Sequence, residues 1–548
     1  MSLEDPPSCP LYSPKNKPYQ DTIMQIWCAA SQAADSQLVA IESAFMKGFS
    51  GIQLVGQAAE VCKNGLERAK AVLESCDVAI PARRIILNLA PAEGKKDGSQ
   101  FDLAFAVSLL CLTCEIPPKI SPANWLFVAE LGLDGELRPV QGAAAFAIAS
   151  LGTHIQGIVV ATENEKEIQA ICQNQVNSPM VLAFAHFSHV MLWLLAAQLP
   201  NPVRSIGWMS SIMKTKGNPP TFDDMHLTLE LEQIALVTAT GRHNLLLWGS
   251  PGTGKSMFSA RLPSLLPPLS TPELWESLRT HSLLTTHVAE ERIRGEAPFR
   301  NPHHQASATA ILGSCERPGE LALAHGGILF LDELPEFRRD ILEGLREPLE
   351  TGWVHVSRAQ HKMAWRAKVT LVAACNNCPC GWYGSRRKRC ICPIPKIQGY
   401  RRRLSGPILE RIDLHLNMEE PQLASSELFL PSSRRDQTKR LAAQVQKAIE
   451  FGRKRNEALG IRYNCELQSD QILVASGHSA SSFSQLASEG FSLSASPRSL
   501  IRAFRVARTL ADLEAHEKIS SAHIAKALDW QAEAAAKNRG DATLGLGS

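Results

Sequence analysis

The run Gly249-Ser250-Pro251-Gly252-Thr253-Gly254-Lys255-Ser256 constrains this chain more than any other short segment. Its glycines let successive backbone N–H groups turn inward on an anion. The lysine adds a point charge, and the hydroxyl at a helix start offers a ligand to a divalent cation. Such a loop works only between a strand and a helix. Leu245-Leu246-Leu247-Trp248 reads as the buried strand before it, and Met257 to Arg261 and onward as the helix after it. A parallel sheet with helical crossovers is therefore expected, with ATP held at the loop, Lys255 on its phosphates and Ser256 on Mg²⁺.

Two further strands carry matching chemistry. Gly326-Gly327-Ile328-Leu329-Phe330-Leu331-Asp332-Glu333 delivers two carboxylates at a strand end. Asp332 is expected to orient Mg²⁺ and its waters, and Glu333 to polarise the attacking water. Alone the pattern is common; after a phosphate loop it becomes specific. Val369 to Ala374 leads to Asn376, which reads either as a γ-phosphate or water contact or as an ordinary turn residue. Arg411 and Arg498 are candidates for neutralising phosphoryl-transfer charge, the alternative being surface ion pairs.

At 548 residues the chain exceeds one hydrophobic core, and about three domains are expected. With 45% hydrophobic and 20% charged residues it is globular, and a net charge of +3 neither requires nor excludes a nucleic-acid partner. An N-terminal segment, 1–30, precedes a mixed α/β domain over 31–198, with strands at Ile85–Leu89 and Gly157–Ala161 and helices at Ala59–Ser75 and Phe101–Leu112. Prolines, glycines and serines mark a linker at 199–224. The nucleotide-binding domain spans 225–420 and includes a Cys-rich loop, 375–392. The remainder, 421–548, reads as helical, most clearly at Arg435–Glu457 and Pro497–Leu513. No apolar run approaches the about 18 residues of a membrane span. Met1 to Tyr19 is polar and Pro-rich, so a cytoplasmic protein without a membrane partner is expected.

Of fourteen cysteines, nine are scattered and five crowd into Cys375–Cys392. Cys378, Cys380, Cys390 and Cys392 form C-x-C, nine residues, C-x-C. Four thiolates can enclose a structural Zn²⁺, at a closer pair spacing than is usual; the alternative is reduced, unliganded thiols. Arg386, Arg387, Lys388 and Arg389 lie in the same loop, beside Trp382 and Tyr383, with Lys396 and Arg401 to Arg403 beyond. These cations read either as a sequence-independent DNA contact, with the aromatics stacking on bases, or as a solvated charge run. A hairpin from Trp353 to Trp365 would present Arg358 and Lys362 to DNA, by analogy with helicase rings. His303-His304 reads as a loop or interface pair, since neighbouring positions point apart.

Several segments together resemble the Mg-chelatase-like AAA+ proteins of bacteria, the ComM/YifB group. They are Leu87-Asn88-Leu89-Ala90-Pro91-Ala92, Phe299-Arg300-Asn301-Pro302-His303-His304, Glu333-Leu334-Pro335-Glu336-Phe337, Leu345-Arg346-Glu347-Pro348-Leu349-Glu350, Ser405-Gly406-Pro407 and Val506 to Leu513. The likeness covers about Gln37 to Gln531. It implies a hexameric ring with ATP between subunits, Asn376 as sensor 1, Arg411 as a finger acting on the neighbour and Arg498 as sensor 2. For the ComM branch it further implies a DNA motor driving branch migration in natural transformation or recombination, on branched or single-stranded DNA and beside recombinase machinery. Two departures stand out: Asn376-Asn377 replaces the family's Asn-Pro, and its Gly-Gln is missing around Met225 to Leu229.

The first domain resembles the Lon-protease fold, whose Ser nucleophile and Lys base form a dyad. Here the nucleophile position falls on Gln100, with Ser99 one residue early, and Ala143-Ala144-Ala145 stands where the Lys would be. An amide and a methyl group cannot supply nucleophile and base, so a non-proteolytic domain is expected. The rival readings are a metallochelatase motor subunit remodelling a protein partner, an ATP-dependent protease, and an ATP-gated scaffold with slow hydrolysis.

Overall fold

The computed structural model describes residues 23–32, 35–92, 96–114, 118–173, 177–199, 220–286, 288–358, 361–404, 406–419, 436–493 and 496–539. Most of the expected N-terminal segment and linker, Ser405, and the side chain of Arg358 lie outside the described residues. The chain divides into two compact units, one from Met1–Lys214 with Thr271–Gly295, the other from Thr215–Ser270 with Glu296–Ser548. No helix among the described residues is long and apolar enough to cross a membrane.

The first unit is built on a seven-stranded mixed sheet. Its strands are β1 (Met24–Gln32), β2 (Asp35–Met46), β3 (Gly51–Val55), β4 (Arg84–Ala90), β5 (Trp125–Val128), β8 (Gly157–Ala161) and β9 (Met180–Phe184), in the order β3-β4-β2-β1-β5-β8-β9. A small antiparallel pair, β6 (Glu130–Leu131) and β7 (Leu137–Arg138), stands beside it. In β4 only Ile85, Leu87 and Leu89 are buried, the two-residue period of a strand with one face on the core. All of β8 is buried, as expected of a parallel strand covered on both faces. The helix Asp102–Thr113 is buried along its whole length, which explains its unbroken apolar text.

Residues 271–295 lie inside the segment 225–420 that the sequence assigns to nucleotide binding, yet they pack with the first unit. The reason is an apolar face that needs a core. Leu278 of the helix Thr271–Ser282 is fully buried there, with Leu274 and Trp275 packed alongside. Gly142 N donates to Ser282 O at 2.8 Å, Asn164 Nδ2 to Thr286 O at 3.1 Å, and Lys166 pairs with Glu290.

The second unit carries a five-stranded, all-parallel sheet: β10 (Leu245–Trp248), β11 (Phe299–Arg300), β12 (Ile328–Leu331), β15 (Thr370–Cys375) and β16 (Leu414–Asn417). Their order is β11-β12-β15-β10-β16, and the register sets Leu245 beside both Val372 and Leu414. An antiparallel hairpin of β13 (Trp353–Arg358) and β14 (His361–Arg366) stands apart from the sheet. The C-terminal helices belong to the same unit. Pro497–Leu513 starts on a capping box of Ser496 and Ser499 with proline in the first turn, which satisfies amides that would otherwise lack partners. Its buried Asp512 accepts from Arg455 at 2.7 and 2.8 Å, pairs with Arg508 at 3.1 Å and accepts from Asn464 at 2.8 Å. That polar network ties three helical segments together inside an apolar shell.

Candidate functional site

The phosphate loop leaves the carboxyl end of β10, the strand flanked by β15 and β16, which is where open parallel sheets place their ligands. Gly254, with φ +91°, caps the following helix Lys255–Arg261, a backbone setting open to glycine and strained for other residues. Lys255 Nζ donates to Gly249 O at 2.8 Å, to Ser250 O at 2.9 Å and to Asn376 Oδ1 at 3.3 Å. Burial pulls its pKa down, and the nearby Cys375, Asp332 and Glu333 pull it back up. Ser256 Oγ donates to Asp332 Oδ2 at 2.7 Å. Lys255, Ser256, Asp332 and Asn376 thus converge from three strands, as the sequence order anticipates.

The donor set fits a triphosphate and its cation. A buried ammonium faces oxygen acceptors, and a hydroxyl and a carboxylate oxygen stand together as the hard ligands Mg²⁺ prefers. Met225 and Met418, both buried, flank the loop: Met225 reaches Gly254, and a side chain at Gly249 would strike Met418 O at 2.6 Å. Met225 therefore occupies the stretch from which the family's Gly-Gln is missing.

Glu333 has φ +53°, an uncommon conformation for a residue with a side chain, and its backbone N–H donates to Asp332 Oδ1 at 2.9 Å. The turn leaves its carboxyl half exposed, and Oε2 lies 3.3 Å from His304 Nδ1. The His304 ring also sits 4.1 Å from that of His303 and edge-on to Phe337. Read from sequence as a loop or interface residue, His304 belongs to the acidic strand end. The only textual hint is that the His pair follows β11, whose Arg300 is anchored on Glu320 at 2.7 Å.

The two candidate arginines have other partners in this chain. Arg411 is mostly buried, pairs with Glu350 at 2.6 Å and donates to the carbonyls of Arg346 and Pro407 at 3.0 and 2.6 Å. Arg498 is 79% exposed and meets Glu410 at 3.1 Å.

After β15 the chain forms a tight knuckle. Cys378 Sγ lies 3.4 Å from Cys380 Sγ and 3.6 Å from Cys390 Sγ, and Cys380 Sγ lies 3.6 Å from Cys390 Sγ. The ligand atoms of all four cysteines fall within 4.8 Å of one another. Tetrahedral Zn–S bonds of about 2.3 Å separate sulfurs by roughly 3.8 Å, so the cluster fits zinc. The N–H groups of Tyr383 and Cys392 point at Cys378 and Cys390 sulfurs at 3.3 and 3.4 Å. Backbone N–H groups, Trp382 foremost, draw the Cys380 thiol down to about 6, while burial pushes Cys378 up to about 12. Arg386, Arg387, Lys388 and Arg389 are exposed. Trp382 and Tyr383 do not stand free for bases: Lys388 covers the first at 5.5 Å and Arg401 the second at 5.3 Å. The β13–β14 hairpin pairs Ser357 with Lys362, whose side chain is exposed near the tip.

In the first unit Gln100 is buried, its Nε2 donating to Asp97 O at 2.8 Å, and Ala144 is fully buried. Neither can take up a proton or attack a carbonyl.

Comparison with known proteins agrees with this geometry. The family described as "Magnesium chelatase, subunit ChlI" matches residues 222–426 and its C-terminal domain residues 435–531, and "Subunit ChlI of Mg-chelatase" matches residues 41–164. The YifB protein of Salmonella typhimurium is 35% identical over 514 residues, 92% of this chain and 96% of the relative. The competence protein ComM of Haemophilus influenzae is 33% identical over 512 residues, 92% of this chain and 97% of the relative. A Lon protease of Geobacter metallireducens is 22% identical over 185 residues, 32% of this chain and 22% of that protein, in keeping with a Lon-like α/β unit. With the phosphate loop, the acidic strand end and these matches in place, the chain belongs to the Mg-chelatase-like ComM/YifB group of AAA+ ATPases.

Proposed function

We propose that this ATPase is a DNA motor, a branch-migration translocase working as a hexamer in natural transformation or recombination. The observation that carries this reading is the exposed cationic run Arg386–Arg389 on the same unit as the phosphate loop, together with Lys362 on the hairpin. Clustered cations neutralise DNA phosphates and release counterions, giving affinity without sequence choice. A relative named for competence supports the same reading.

Bound Mg²⁺-ATP supplies the phosphoanhydride whose cleavage drives the cycle. Lys255 Nζ, now on carbonyl oxygens, would turn to phosphate oxygens, and Ser256 Oγ and Asp332 would hold the cation. Glu333 orients water and takes its proton on a carboxylate oxygen. Asn376, whose Oδ1 accepts from Lys255 Nζ, would contact the γ-phosphate through its amide N–H or accept from the attacking water. Buried Met225 and Met418 offer a flat base an apolar seat. Arg411, braced by Glu350, is the finger presented to a neighbouring subunit, and Arg498 the sensor of bound nucleotide. We read the four-cysteine knuckle as a structural zinc site, and the first unit as non-proteolytic.

Measuring ATP turnover and strand exchange with and without branched or single-stranded DNA tests the motor. Stimulated turnover and salt-sensitive binding are expected. A rate indifferent to DNA, with no binding, refutes the motor and favours the second reading, a chelatase-type ATPase remodelling a protein partner, to which the ChlI matches point.

A further inference from the structure

The cysteine knuckle and the phosphate loop touch. Gly381 lies in the turn between the two thiol pairs, with φ +84°, and a Cβ built there would stand 2.5 Å from Pro251 Cγ and 2.7 Å from Pro251 Cδ. No side chain fits, so the knuckle backbone rides directly on the loop proline. A second tie runs through two consecutive residues. Asn376 Oδ1 accepts from Lys255 Nζ at 3.3 Å, and the next residue, Asn377, donates through Nδ2 to Tyr383 O at 3.1 Å inside the knuckle. Arg401 reinforces the joint by donating to Asn377 O at 3.4 Å while covering the Tyr383 ring. A short polar excursion without a core of its own gains its shape from the four sulfurs, so whatever fixes the sulfurs also fixes Gly381 and Asn377.

We infer that the knuckle is a strut for the phosphate loop, holding Pro251 and Asn376 in the ATP-binding arrangement so that nucleotide affinity depends on how the knuckle is seated. Gly381 and Asn377 are positioning residues, since Gly381 acts through Pro251 and Asn377 through its chain neighbour Asn376. The inference rests on the zinc reading only for what rigidifies the knuckle; the contact with Pro251 stands without it.

The test is a double-mutant cycle on the full-length protein, with zinc content and the KM and kcat for ATP as readouts. Gly381→Ala should keep about one equivalent of zinc and raise KM at least about fivefold with a smaller change in kcat, because the methyl group displaces Pro251. In a Pro251→Ala background, where Cγ and Cδ are gone, Gly381→Ala should raise KM by less than half the factor seen in the parent. Backbone strain from alanine at φ +84° is the same in both backgrounds and cancels. An unchanged KM in Gly381→Ala, or an equal rise in both backgrounds, overturns the strut. Loss of zinc from Gly381→Ala also overturns it, because Gly381 would then serve the metal site alone. Zinc in the unaltered protein but not in Cys390→Ser supports the metal reading. No zinc in either removes that reading and leaves the cycle to decide the strut.

Discussion

Glu167 gives the sharpest pH prediction. It is buried in the first unit, accepting from Asn164 Nδ2 at 2.8 Å through Oε1, while its other oxygen has no partner. Burial pushes its carboxyl from the ordinary 4.5 up to about 8. Between pH 6 and 8 the folded protein therefore holds a proton there that the unfolded chain has lost. A raised carboxyl contributes stability that is present in full below 4.5 and is lost as pH climbs through about 8. Two pH units at about 1.4 kcal/mol each give a loss of roughly 2 to 3 kcal/mol between pH 6 and 9, or about 100-fold in the opening equilibrium. Glu167→Gln keeps the shape and a donor but cannot ionise, so its stability should not carry this slope. Hydrogen exchange followed by mass spectrometry on peptides covering the helix Glu165–Cys172 reads the effect locally, with the variant compared against the parent at each pH. Amide protection there should fall about 100-fold from pH 6 to 9 in the parent, after correction for intrinsic exchange, and stay nearly level in the variant. Parallel slopes would refute the claim that this carboxyl is neutral in the fold.

Other outcomes follow from the second unit. Glu333→Gln should bind ATP and form the same assembly as the parent while losing turnover by at least about 100-fold; a nucleotide-trapping assay with preserved turnover would remove Glu333 from its role. His304→Ala should lower kcat about tenfold with KM unchanged, because the ring stands against the Glu333 carboxylate that would activate water; a rise in KM alone would contradict this. Asp512→Asn leaves buried Arg508 and part-buried Arg455 short of their counter-charge and should cost about 3 kcal/mol in urea unfolding. A loss under about 0.5 kcal/mol would mean the network is dispensable. Replacing Arg386–Arg389 with alanine should weaken DNA binding at all sequences and reduce the salt slope by about 3 to 4; an unchanged slope would place the contact elsewhere.

The phosphate loop, Asp332, Glu333 and Asn376 were legible because each follows a short apolar strand, and parallel strands bring their carboxyl ends to one edge. The helices Glu60–Ser75 and Pro497–Leu513 were legible for a similar local reason, an apolar face written within one segment, joined in the second by a capping start. Contacts between distant segments were not. Nothing local in Thr271–Gly295 says that its apolar face completes another unit's core, since the pattern records a need for burial without naming the partner. His304 reaches Glu333 through a loop, where periodicity carries no directional information. Trp382 and Tyr383 looked available to bases in the text, but the nearest cations in three dimensions are Lys388 and Arg401 of the same chain.

The return of residues 271–295 to the first unit also bears on synthesis. The ribosome makes the chain in order, so the first unit cannot close around Leu278 until about residue 295 has emerged, and by then the phosphate loop and its helix are already out. Until that moment the face of Ala143–Ser150 that takes this helix stays bare. A fragment ending before residue 271 should therefore be sticky and readily digested, and a separate peptide covering 271–295 should rescue it.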